Sequence, residues 1–205
     1  MKTIIATMPM KKEVHSFRYP VQGNSAIEYD GEVHFGVNGV LARILEPKEP
    51  VKLLFIVTHG GADQGCENAR LFREEFDRVT ADKAIAVTEE IIEINDAPTT
   101  GEFEKLISLL IDAIGTNAEI IGDITFGSKP FPFILLCAIN FAEMFKGASL
   151  LHLIYGHLDW PSGKPPCNPI IYDITPVYYI QKLIGVMEGR NPEEAQKMLT
   201  DFFAL

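Results

Sequence analysis

Short β-prone runs alternate along this chain with stretches whose apolar residues recur every three or four positions, and few folds satisfy that alternation. The runs lie at residues 3–7, 51–57, 84–94, 118–124, 149–155 and 170–174. After the first, Val37, Val40, Leu41, Ile44 and Leu45 keep helical spacing until Pro47 stops the helix. After the second, Ala69, Phe72, Phe76 and Val79 share one face, with Arg70, Arg73, Glu74 and Asp77 on a solvated remainder. Thr99 and Glu102 stand in capping-box spacing before a helix striped by Phe103, Leu106, Leu109, Leu110 and Ile114. Residues 131–145 are so apolar that a helix there must be buried on most sides or covered by a partner. Pro176 and Asn191-Pro192 each open a further helix.

Strands that alternate with helices imply parallel strands joined by crossovers. The expected fold class is α/β: a Rossmann-like, mostly parallel sheet with helices on both faces, plus C-terminal helices. The 205 residues, 47% of them hydrophobic, support one full core. One domain is expected over residues 1–187, then a helical tail or connector stump over 188–205. No apolar run reaches the ~18–20 residues of a membrane span and the start lacks a signal peptide, so a soluble, cytoplasmic protein with no membrane partner is expected. The three cysteines, Cys66, Cys137 and Cys167, form no C-x-x-C pair and read as ordinary reduced thiols. No group of His, Asp and Glu has metal-ligand spacing, and neither metal nor cofactor is expected.

A formal charge of −10 argues against a long nucleic acid as partner, because such binding rests on neutralising many phosphates. A smaller anion remains compatible with a locally basic or amide-lined pocket. In open α/β sheets ligands bind beyond the carboxyl ends of the strands, which points to the loops at 8–24, 58–65 and 125–130. The last is the most informative. There a strand end runs through Thr125, Phe126, Gly127, Ser128 and Lys129 into a helix, offering amides, two hydroxyls, a flexible glycine and an ammonium to a phosphate; the competing reading is an ordinary loop. The Walker pattern is absent, as is G-x-G-x-x-G after the first strand.

The run Asp123-Ile-Thr-Phe-Gly-Ser-Lys129 resembles the DITHGFRS signature of the CARF (CRISPR-associated Rossmann fold) proteins of type III CRISPR systems, with Phe126 where His is usual and Ser128-Lys129 where Phe-Arg is common. Tyr155-Gly156-His157 and Pro169-Ile-Ile-Tyr-Asp-Ile-Thr-Pro176 are similar to that family's YG…E strand end and PIIDLTP segment. Thr7-Met-Pro-Met10, with Tyr19, Gly23 and Asn24, is similar to its first strand and loop. The resemblance covers residues 1 to about 187. It implies an antiviral sensor domain that binds a cyclic oligoadenylate, tetra- or hexa-adenylate, across the cleft of a homodimer. The residues expected at the ligand are Met8, Pro9, Met10, Asn24, Thr125, Phe126, Gly127, Ser128, Lys129 and His157, together with Gly60, which follows the second strand.

A second reading is a metal-independent ring nuclease, in which Lys129, Ser128 and Thr125 align a ribose 2′-hydroxyl with its phosphate and stabilise charge. His157 or His59 beside the phosphate would favour it. A third is a nucleotide-binding regulatory domain of another kind. The effector ribonuclease motif R-x(4–6)-H is absent, and no second catalytic domain is expected before Leu205. Several residues also carry plainer readings: His59-Gly60-Gly61 as a turn, Lys11, Lys12 and Arg18 as solvated charges, Asp123 and Asp173 as anchors for loop amides. His152 reads as a core histidine, and His15 and His34 show no ligand spacing.

Overall fold

The alternation of faces along a strand sets the architecture. In the computed structural model, which describes residues 1–59, 64–95 and 98–203, seven strands form one sheet: β1 (Lys2–Thr7), β2 (Val21–Gln22), β3 (Pro50–His59), β4 (Ala86–Asn95), β5 (Glu119–Asp123), β6 (Ser149–Asp159) and β7 (Cys167–Asp173). Six helices accompany them: α1 (Gly36–Ile44), α2 (Gln64–Val79), α3 (Thr100–Ala113), α4 (Phe131–Phe145), α5 (Thr175–Val186) and α6 (Pro192–Phe203). Ile4, Ala6, Leu53, Phe55 and Val57 point to one face, where Val40, Leu41, Phe72 and Phe76 of α1 and α2 cover them. Ile5, Leu54 and Ile56 point to the other, under Leu106 and Leu110 of α3 and Leu135 and Ile139 of α4.

The strand order is β2-β7-β6-β5-β1-β3-β4. From β4 to β6 all pairings are parallel. The fold is Rossmann-like, as its alternating pattern implies, with two departures at one edge. β7 returns antiparallel to β6, because the connection at 160–166 is too short for a crossover, which needs about a dozen residues or more. β2 then pairs with β7, through Val21 opposite Ile171 and Gln22 opposite Tyr172. That pairing explains the long first loop: from the end of β1 the chain passes over β5, β6 and β7 to reach the far edge.

A buried carboxylate holds the entry to α1. Glu75 of α2 accepts the backbone N–H groups of His34 (2.7 Å) and Phe35 (3.0 Å) and the side-chain amide of Asn38 (3.1 Å), so donors at the helix start that have no intrahelical acceptor are satisfied. At the start of α3 the Thr99–Glu102 capping box is formed on both sides.

One residue of a helical stripe departs from its sequence pattern. Leu109 of α3 is exposed rather than part of the buried stripe. α4 buries Phe131, Ile134, Leu135, Ala138, Ile139 and Ala142 but leaves Phe133 (73% exposed), Phe141, Met144 and Phe145 (67%) on its outer side. No residue of α6 is buried, and Phe202 and Phe203 are exposed. Among the described residues, no helix is long and apolar enough to cross a membrane.

Replacing Glu75 by Ala strands three donors in the interior and should lower the unfolding free energy by about 3 kcal/mol in urea titration, with Glu75→Gln losing less than half of that. A loss under about 1 kcal/mol for the alanine variant would show that water replaces the carboxylate there.

Candidate functional site

The chain leaves β1 toward α1 on one face and leaves β5 toward α4 on the other, so a crevice opens between the carboxyl ends of these adjacent strands. A cleft of about 600 Å³ lies there. Its walls come from five segments: Met8, Pro9, Met10 and Lys11 after β1; Thr58 at the end of β3; Ile94, Asn95 and Pro98 at and just after the end of β4; Thr125, Phe126, Gly127, Ser128 and Phe131 after β5; and Tyr155, Gly156, His157, Leu158 and Trp160 of β6 and beyond.

The tripeptide Asp-Ile-Thr occurs twice, at 123–125 and 173–175, and in both copies it makes the same hook. Thr125 donates its N–H (2.9 Å) and its hydroxyl (2.5 Å) to Asp123 Oδ1, and the hydroxyl oxygen accepts the N–H of Gly156 (2.8 Å). Thr175 donates its N–H (3.1 Å) and hydroxyl (2.5 Å) to Asp173 Oδ1 and accepts the N–H of Leu153 (2.7 Å). Both hooks therefore grip β6, one from each side, and Ile154 stands opposite Asp123 and Asp173 alike. Beyond that point β6 and β7 continue as a hairpin without β5 beside them. Roughly five residues at about 3.4 Å each carry His157, Leu158 and Trp160 out along the cleft.

The same hook meets opposite environments. Asp123 is fully buried with no cation against it among the described residues, and burial pushes its carboxyl up to about 6 even though the two bonds from Thr125 pull it down. Asp173 is also partly buried, but bonds from His152 and Thr175 outweigh burial and hold its carboxyl below the usual range. His152, read from sequence as a core histidine, is only half-buried and pairs with Asp173 Oδ2 at 2.7 Å.

Among the described residues, the loop after β5, more than the start of α4, leaves backbone donors without acceptors. Pro130 and Pro132 have no N–H, and the N–H of Phe131 is taken by the Ser128 carbonyl (3.0 Å). The amides of Phe126, Gly127 and Ser128 donate to no acceptor among the described residues. Phe126 anchors this loop by packing edge-on against Phe35 (6.2 Å). Gly127 has φ +102°, and a Cβ there would stand 2.7 Å from Thr7 Cγ2, so only glycine fits. Across the cleft, the buried Asn68 of α2 fixes the first loop by donating to the carbonyls of Pro9 (2.6 Å) and Lys11 (3.0 Å).

Met8, Pro9, Met10, Thr125, Phe126, Gly127, Ser128 and His157 thus meet on one cleft. Lys129 is exposed and Asn24 is half-buried, and neither is on the lining. Gly60 and Gly61 lie outside the described residues, and His59 ends β3. Arg18 bonds to Glu28 and Asp30 away from the cleft, and Lys12 is not on its walls. Sequence reasoning missed Trp160 and the group Ile94, Asn95 and Pro98. A lone tryptophan directly after a strand and ahead of a Pro/Gly-rich segment was the available signal for the first. Among the described residues, no three His, Cys, Asp or Glu side chains gather as a metal site would require. No protein-family model and no curated protein sequence matches the chain.

Two outcomes test this geometry. Gly127→Ala should cost about 1–3 kcal/mol of stability through backbone strain and displace the loop amides. Because Asp123 binds its proton more tightly folded than unfolded, its contribution to stability is full below about pH 4, falls as pH rises toward about 6, and is absent above. The unfolding free energy of wild type minus that of Asp123→Asn should therefore fall by up to roughly 3 kcal/mol between pH 4 and pH 7, other carboxylates cancelling in the difference. A difference that does not change with pH would overturn this assignment.

Proposed function

We propose that the chain is a CARF-type sensor that binds a cyclic oligoadenylate across a homodimer. The observation that carries this reading is convergence. Three segments far apart in sequence, each similar to a CARF segment, line one cleft: residues 8–10, 125–128 and 155–157. That cleft lies where open α/β sheets bind ligands. Its lining is mostly uncharged, which suits purine rings, and the loop amides of residues 126–128 suit phosphate oxygens.

The size of the cleft supports a second protomer. About 600 Å³ suits a drug-sized molecule, and a ring of four or six nucleotides is larger, so one cleft holds part of it. α4 begins immediately after the ligand loop, and its outer stripe of Phe133, Phe141, Met144 and Phe145 offers an apolar face of the kind that subunits bury. Joining two such faces about a two-fold axis sets two ligand loops side by side.

Binding is favoured over cleavage by the use already made of Thr125. Its hydroxyl is committed as donor to Asp123 and as acceptor from Gly156, which leaves it no free role in turnover. Lys129 is exposed and does not line the cleft. The ring-nuclease reading retains His157, which lines the cleft and pairs loosely with Asp159 (3.2 Å).

Mixing the protein with cyclic tetra- or hexa-adenylate in the absence of metal, with binding followed by calorimetry and products by chromatography, separates these readings. Saturable binding with the ring intact is the expected result, and linear products would make the protein a ring nuclease. Binding of neither ring would remove the assignment. Phe141→Glu should convert a dimer to monomer in sedimentation and weaken ring binding with it, whereas a wild-type chain that sediments as a monomer with ring present would sink the shared cleft.

A further inference from the structure

The permanent positive charge on the described lining of the cleft is already engaged. Among the described residues, Lys11 is the only lysine or arginine on the lining. Its ammonium sits over the indole of Trp160, 3.9 Å from the ring centroid. It has no carboxylate partner among the described residues. The two residues reach this contact from opposite walls: Lys11 from the loop after β1, Trp160 from the tip of the β6–β7 hairpin. The contact therefore joins two walls of the cleft, and both residues also line a smaller cavity beside it, with Glu13, Val14 and His15.

What is fixed and what is free differ sharply at both ends. The Lys11 main chain is held through its carbonyl by Asn68, while its side chain is exposed. Trp160 is 54% exposed and has His15 as its aromatic neighbour, tilted by 59° at 6.4 Å. A lysine stem has four rotatable carbons and reorients at little cost; the indole is rigid and presents a broad face.

We propose that Lys11 and Trp160 form a latch across the cleft and that a nucleotide opens it, a purine base replacing the ammonium on the indole while Lys11 turns to a phosphate. This rests on the reading of the cleft as a nucleotide site and adds to it the residue that recognises the base. An exposed cation–π contact is weaker than the stacking of a base on an aromatic ring, and a lysine gains more from phosphate than from an indole. Both new contacts improve on the one lost, so the exchange runs toward the bound state. A phosphate without a base gains only one of them, and so does a base without a phosphate. The latch thus favours ligands that carry both.

Trp160 is the chain's only tryptophan, so its emission reports the latch directly. Titration with cyclic tetra-adenylate should quench that emission saturably, at the same midpoint that calorimetry gives. Trp160→Ala should weaken binding roughly tenfold, with Trp160→Phe recovering most of the loss. Lys11→Met should alter the emission of the free protein, weaken binding and reduce the dependence of log affinity on log salt by about one. Thermal midpoints close to wild type are expected for all three, since both side chains are exposed. Ring binding with unchanged emission and undiminished affinity in Trp160→Ala would overturn the latch and leave the sensor reading intact. If neither ring binds, ATP decides in its place. Quenching by ATP but not by tripolyphosphate or adenosine at equal concentration would uphold the latch after the loss of the oligoadenylate reading, and no response to ATP would end both.

Discussion

Everything at the cleft depends on how β6 is gripped at Ile154. The strand has Asp123 opposite it on one side and Asp173 on the other, and each carboxylate ties down a threonine whose hydroxyl takes a β6 amide. Four hydrogen bonds to carboxylate oxygens thereby set where the sheet stops and where the hairpin begins. The loop that carries Phe126, Gly127 and Ser128 emerges from the first hook, and α5 emerges from the second. One tripeptide used twice thus positions a ligand wall and a helix from the same strand.

The two copies also show how little a local motif says about its own electrostatics. Bonds from a threonine pull both carboxyls toward the ionised form. Burial without a cation overrules them at Asp123, while His152 tips the balance the other way at Asp173. The interior thus holds a carboxylate whose ionisation opposes folding, next to a loop that lines the cleft. Natural chains keep such groups where geometry matters more than stability.

Much of the fold was legible because its signals are local. Val37 to Leu45, the Ala69–Val79 face and the Thr99–Glu102 box all specify helices within a turn or two, and the helices lie where those residues set them. What escaped depends on distant partners. Glu75 reads as one more charge on a solvated helix until the amides of His34 and Phe35 arrive against it. β2 is two residues long and exists only because β7 is beside it. Leu109 fits a helical stripe, yet its place on the helix lies beyond the cover that the sheet and α4 provide. At the cleft, the rule about strand ends found the loops at 8–10 and 125–128. It could not rank Lys11 above Lys129, since that choice follows from how each loop turns. Ile94, Asn95 and Pro98 enter only through the parallel pairing of β4 with β3, which brings the end of an edge strand up to the rim.

Below Ile154 the strand is clamped inside a wide sheet, and above Gly156 it is half of a narrow ribbon. Narrow ribbons twist and bend far more readily than sheets. Compliance is therefore concentrated at one short stretch of backbone, much as a cantilever flexes at its root. A push on the hairpin tip is felt at that root, where the next rigid body along the chain, α5, is attached through Thr175. The tip of the hairpin and the start of α5 are thus tied to the same short stretch of β6.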